Sequence, residues 1–281
     1  MKKKRSSPLV SVRDIDARID TSAAHLRSRL KHRPKIGIIL GSGLGEFGDG
    51  LRASQVVPID TVPNYPRATV EGHVGTIVAG KLSGVSLLVF QGRVHLYESG
   101  DLDSVLYPIR IAHRLGIKIL LLTNAAGGLH MNFRPADLMI ITDQINLTFE
   151  NPIKHLRRPS RGGDLYDPEI RDIMRAVGRE SNIELRQGIY CGIKGPSYET
   201  VAEVEMIRRI GGDAIGMSTV NEVSLAHALG IRLGGISCIT NLATGIAADK
   251  LTHREVTEVA ALVKEPLQSL LTGVVQKIGT R

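Results

Sequence analysis

The sequence predicts a single α/β domain with a mixed, mostly buried β-sheet covered by helices on both faces. Short runs rich in Val, Ile and Leu recur along the chain and read as core strands, and segments of helical periodicity lie between them. The third observation is compositional: 281 residues, 42% hydrophobic and 23% charged, are long enough to bury a large core and too apolar for a disordered chain.

The chain opens on Lys2, Lys3, Lys4 and Arg5, and residues 1–19 are expected to be a disordered basic tail, with the domain filling 20–281. No apolar segment follows the basic residues, so they do not read as a secretion signal. A polar helix is expected around residues 20–31, and then Ile36-Gly-Ile-Ile-Leu40 reads as a buried strand. Further strands are expected at Gly75 to Ala79, Val85 to Phe90, Ile117 to Thr123, Leu138 to Thr142, Ile189 to Ile193 and Ile231 to Thr240. Leu51 to Val62 reads as strand and turn. Helices are expected at Leu102 to Leu115, Pro168 to Ser181, Glu199 to Ile210, Val220 to Leu229 and about His253 to Ile278. A long loop with basic residues and glycines, Asn146 to Pro168, stands apart.

Composition narrows the function classes. The run Ile117 to Leu122 is strand-sized and contains Lys118, so no membrane span is expected. Cys191 and Cys238 show neither CxxC spacing nor a disulfide framework, which fits a reducing cytoplasm. The net charge of +8 admits nucleic acid or an anionic substrate as partner, but four of those charges sit in the tail.

Ligands of open α/β sheets collect beyond the carboxyl ends of the strands, so the residues after each strand carry the functional reading. Gly41-Ser42-Gly43-Leu44-Gly45-Glu46-Phe47-Gly48 follows the first strand with few Cβ atoms, leaving backbone N–H groups free to converge on an anion such as phosphate. A bare glycine turn explains this loop equally well. Gln91-Gly92-Arg93-Val94-His95-Leu96-Tyr97 puts Arg93, His95 and Tyr97 on one face if the strand continues with period two. That face offers a guanidinium fork and an imidazole to an anion, or else it is a polar strand edge. His73 lies in a similar but more ambiguous setting. Asn124-Ala125-Ala126-Gly127-Gly128 reads as a second small-residue loop at a strand end. Glu199, read as opening a helix, either only compensates the helix dipole or, with Tyr198, combines an aromatic face with a carboxylate able to accept two N–H bonds from a heterocycle. Met217 defaults to core packing, Ser218 or Thr219 caps a helix, Asn241 offers both a donor and an acceptor, and Thr252-His253-Arg254-Glu255 has capping-box spacing.

Taken in order, GSGLGEFGD, EGHVGTIVAG, QGRVHLYES, TNAAGGL, KGPSYETVAEV, IGMSTVNEV and ITNLATGI closely resemble the trimeric purine nucleoside phosphorylases, from about residue 36 to the last helix. The resemblance implies phosphate-driven cleavage of purine nucleosides, a homotrimer, and no metal or organic cofactor, inorganic phosphate being the co-substrate. It also implies roles by position. Ser42, Arg93, His95, the N–H of Ala126 and Ser218 would hold phosphate, with His73 near its entrance. Tyr97, Met217 and His253 would line the ribose, and Tyr198, Glu199 and Asn241 would address the base. His95, Glu199, Asn241 and His253 would be the catalytic set. A preference for 6-oxopurines is expected because Glu199 needs an N1–H. The related methylthioadenosine phosphorylases, the nearest alternative, usually carry aspartate at the position of Asn241. A non-catalytic nucleotide- or nucleic-acid-binding module is the alternative from another class. The pattern departs from the family at Asn146 to Tyr166: members carry an Asp-x-Arg-Phe-Gly segment whose phenylalanine caps a neighbour's ribose, and this chain has His155-Leu-Arg-Arg-Pro-Ser-Arg-Gly-Gly163.

Overall fold

Every residue of Ile36–Leu40, the strand β1, is buried, as expected of an apolar run with cover on both sides. The computed structural model describes residues 12–41, 45–67, 75–156, 163–246, 259 and 261–280. Helix α1 (Val12–Arg29) precedes β1, and a 3-10 helix (Gly45–Gly50) follows it. Then come β2 (Arg52–Pro58), β3 (Thr76–Leu82), β4 (Val85–Gln91), the short α2 (Leu96–Ser99), α3 (Leu102–Leu115), β5 (Ile119–Gly128) and β6 (Leu138–Asn146). The chain continues through α4 (Pro168–Glu180), β7 (Leu185–Gly192), α5 (Val201–Arg209), β8 (Ala214–Gly216), α6 (Val220–Ala228), β9 (Arg232–Leu242) and α7 (Lys264–Gly279).

The strands form one mixed sheet. β1 lies parallel to β4 and β5, and β3 and then β2 continue antiparallel on the far side of β4. On the other side β5 pairs with both β9 and β8. β9 pairs with β6, β6 with β7, and β7 with β8, so β5-β9-β6-β7-β8 closes into a ring. The period of two sorts side chains to opposite faces: Ile39, Leu88 and Phe90 join the core under α1, α3 and α6. Ile38, Leu87 and Val89 join a second core with α4 and α7. The central strands are therefore buried on both faces, as predicted, whereas the edge strand β2 is mostly exposed.

The N-terminal boundary is corrected. Helix α1 begins by Val12, not near residue 20, because Ile15, Ile19, Ala23 and Leu26 recur at helical spacing and are all buried. The four-residue periodicity starts inside the segment expected to be tail, where the neighbouring charges obscured it. Ile19 is 1% exposed, so Ile19→Ala is expected to lower unfolding free energy in denaturant by about 2–5 kcal/mol. A shift below about 0.5 kcal/mol would mean that α1 does not dock on the core. The start of the last helix near His253 lies outside the described residues; its described part runs from Lys264. Among the described residues no helix is long and apolar enough to cross a membrane.

Candidate functional site

A cleft of ≈ 730 Å³, its open mouth included, lies where β1, β4, β5, β8 and β9 end. The strand-end geometry explains its chemistry: the parallel strands β1, β4, β5 and β9 deliver their last residues to one rim, where the antiparallel β8 meets them, so residues far apart in sequence come together. Arg93, His95, Ala126 and Ser218 line it, as do Tyr198, Glu199 and Asn241, with Tyr97 and Met217.

Hydrogen bonds gather the cationic and hydroxyl groups at one end. Arg93 Nη2 donates to the Thr123 carbonyl at 2.6 Å, and Nη1 donates to Thr219 Oγ1 at 3.0 Å. Asn124 Nδ2 donates to the same Thr219 hydroxyl at 2.9 Å, and Ser218 Oγ lies 3.1 Å from it. The Glu222 carboxylate sits 3.6 Å from Arg93 Nη1 with both side chains buried. A buried guanidinium held in this way is a fixed positive charge in a low-dielectric setting, the arrangement that favours an oxyanion. His95 is the residue before α2; its Nδ1 lies 3.3 Å from Glu98 Oε1, and its N–H donates to the same oxygen at 2.6 Å. That contact sets the ring's orientation, and Tyr97 stacks against the imidazole with centroids 5.0 Å apart.

β1 can approach β5 this closely because Gly41 lacks a side chain: a Cβ there would lie 2.8 Å from the Asn124 Cα. The Gly41 N–H donates to Thr123 Oγ1 at 3.0 Å, tying the two strand ends together.

The remaining groups suit a heterocycle. Glu199 is 8% exposed, and burial pushes its carboxyl above the ordinary glutamate value; its own backbone N–H opposes the rise, and the Glu203 charge adds to it. Tyr198 beside it is 45% exposed and offers a ring face at the cleft. The Asn241 amide is oriented by neighbours: Oδ1 accepts from Thr240 Oγ1 at 2.8 Å, and Nδ2 donates to the Leu242 carbonyl at 3.1 Å. By valence the amide retains a second lone pair and a second N–H. Cys191 is buried, with its thiol pushed up to about 12 by burial and then by the Glu199 charge, which makes it an inert packing residue.

Several local expectations are corrected. β4 stops at Gln91, and Arg93, His95 and Tyr97 reach the cleft through Gly92, at φ 115°, and the α2 turn rather than along a strand face. Gly92 breaks the period-two pattern that sequence reasoning extended. Asn124 to Gly128 are strand, not loop, because β5 continues beside β9; a register shift between Ala126 and Gly127 bends it at the cleft. Glu199 precedes α5, whose cap is Thr200, so it does not open the helix. Met217, taken by default as core, lines the cleft. Ser42, His73 and His253 lie outside the described residues. Glu222 and Thr240 were missed. Only Glu222 left a signal, the capping-box spacing of Thr219 and Glu222.

The fold and cleft define an α/β protein whose strand ends bring together groups suited to an oxyanion and groups suited to a heterocycle. The Phosphorylase superfamily model matches residues 35–276. Purine nucleoside phosphorylase 1 of Bacillus subtilis (strain 168) is 42% identical over 264 residues, covering 92% of this chain and 97% of that protein. The Rattus norvegicus purine nucleoside phosphorylase is 38% identical over 276 residues, covering 92% and 94%. A schistosoma purine nucleoside phosphorylase solved in complex with hypoxanthine superposes with a TM-score of 0.85 at 34% identity, over 92% of this chain and 96% of that one. This chain belongs to the phosphorylase superfamily, within its purine nucleoside phosphorylases.

Proposed function

We propose that the protein cleaves the N-glycosidic bond of 6-oxopurine ribo- and 2′-deoxyribonucleosides with inorganic phosphate, releasing the free base and (deoxy)ribose 1-phosphate. The observation that carries this reading is that a buried guanidinium with paired hydroxyls, and a buried carboxylate with an amide, border a single cleft. Phosphate lies on Arg93, His95, Ser218 and the Ala126 N–H, with Ser42 and His73 contributing from segments not described. Tyr97, Met217 and His253 line the sugar; Tyr198 covers the base, Glu199 accepts its N1–H, and Asn241 addresses N7 and O6.

Cleavage breaks the bond from C1′ to N9 as a phosphate oxygen attacks C1′, through a ribosyl group with oxocarbenium character. The bonding pair moves into the purine, which leaves protonated at N7 by a solvent proton. The residues supply placement and charge stabilisation, so the chemistry calls for no protein nucleophile, metal or organic cofactor. Asn241 stabilises the leaving base, its Oδ1 accepting from N7–H and its Nδ2 donating to O6. The hypoxanthine held by the schistosoma relative is itself a 6-oxopurine, which supports this choice of base. A homotrimer working in the cytoplasm completes the reading.

The test is release of free base from inosine or guanosine with and without phosphate. Phosphate-dependent release with formation of ribose 1-phosphate is expected; equal release without phosphate would make the protein a hydrolase. Asn241→Asp is expected to move preference toward 6-aminopurines by at least about tenfold in the kcat/KM ratio of adenosine to inosine, because a carboxylate accepts from the 6-amino group and repels O6. An unchanged ratio would remove Asn241 from the base site.

A further inference from the structure

We propose that Glu222 is a positioning residue for phosphate, holding Arg93 and the Ser218-Thr219 turn in one arrangement from behind the cleft. This rests on the reading of Arg93 as a phosphate ligand and adds a residue that does not itself line the main cleft. One carboxylate oxygen, Oε2, makes both contacts: it accepts the Thr219 backbone N–H at 2.6 Å and lies 3.6 Å from Arg93 Nη1. Glu222 is 1% exposed, so this charge is removed from water and committed to these partners.

Thr219 makes the arrangement demanding. Its φ of 72° is unfavourable for a β-branched residue, and it stands immediately before α6. In that conformation its hydroxyl accepts from both Arg93 and Asn124 and meets Ser218 Oγ. A short, charge-assisted bond to the Thr219 N–H keeps the backbone in this state. A second observation points to a ligand: Arg93 Nε and Asn124 Oδ1 are buried without a hydrogen-bond partner among the described residues, although both side chains border the cleft. The network is thus organised around these two side chains while leaving part of their polar capacity unused.

Two substitutions separate geometry from charge. Glu222→Asp keeps the charge but withdraws the oxygen from Thr219; Glu222→Gln keeps an oxygen at full reach and loses the charge. Steady-state kinetics with inosine and phosphate varied separately, with folding checked by circular dichroism, is the experiment. Glu222→Asp is expected to raise KM for phosphate by about tenfold or more while KM for inosine moves less than about twofold. Glu222→Gln is expected to recover most of that loss. The proposal is overturned if the aspartate variant keeps the wild-type phosphate KM, if both KM values rise together, or if glutamine is as damaging as aspartate. Arg93→Met, measured alongside, keeps the two claims apart: loss of phosphate dependence there, with no effect at Glu222, sinks only the positioning role. An unchanged phosphate KM in Arg93→Met sinks the reading of Arg93 itself.

Discussion

Replacing Glu199 by glutamine lowers kcat/KM for inosine by about a hundred- to a thousandfold. In the proposed reading the buried carboxylate accepts N–H bonds from the base, and each charge-assisted bond of this kind contributes about 1.5–3 kcal/mol. An amide puts a donor against the N1–H and converts attraction into mismatch. The pH dependence follows from the raised carboxyl, whose largest cause is burial. Its proton binds at higher pH than on an ordinary glutamate, so KM for inosine is expected to rise on the acid side at higher pH than an ordinary carboxylate would cause, and this acid limb is expected to be absent in Glu199→Gln. Stability moves the other way. Between the unfolded and the raised folded value the native protein holds more protons on this group than the unfolded chain, so stability falls as pH rises through that window. The ligand-free glutamine variant is therefore expected to melt at or above the wild-type temperature at neutral pH while failing in catalysis. Wild-type inosine kinetics in that variant would remove Glu199 from the base site.

Arg93→Met has the second large effect, and it strikes activity and stability together. If Arg93 holds phosphate as proposed, removing this fixed charge is expected to cost about a hundred- to a thousandfold in kcat. It also leaves Glu222 buried without its cation, and breaking a buried pair from one side destabilises by about 3–5 kcal/mol. Phosphate separates the two consequences. At a hundredfold excess over Kd it stabilises the wild-type fold by about 2.7 kcal/mol, and in the variant this protection is expected to vanish. Retained protection by phosphate would show that another group carries the anion.

The elements that sequence reasoning located are those whose pattern is local. Leu102–Leu115 coincides with the expected helix because its apolar spacing and the flanking Asp101 and Gly116 are all written within one segment. β1, β3 and β4 were legible because strands buried on both faces read as unbroken apolar runs. Closure of the ring was not, since β8 has three residues and its pairing with β5 joins segments far apart in the chain. Most cleft-lining residues are legible because each lies at or just beyond a strand's carboxyl end. Glu222, behind the cleft, was not legible, because its contact with Arg93 joins the segment after β4 to α6 across the fold and its spacing reads simply as a helix cap. Arg93 itself was expected at the cleft by the wrong route, a continued strand where the chain turns at Gly92.

The ring β5-β9-β6-β7-β8 leaves none of its members as an unpaired edge. Asn124 to Gly127, Gly216 and Asn241 are all carried on it, so the groups proposed to meet the anion and those proposed to meet the base share one closed, hydrogen-bonded frame. Amide hydrogens of these paired strands are expected to exchange slowly, near the limit set by global opening, which native-state hydrogen exchange checks.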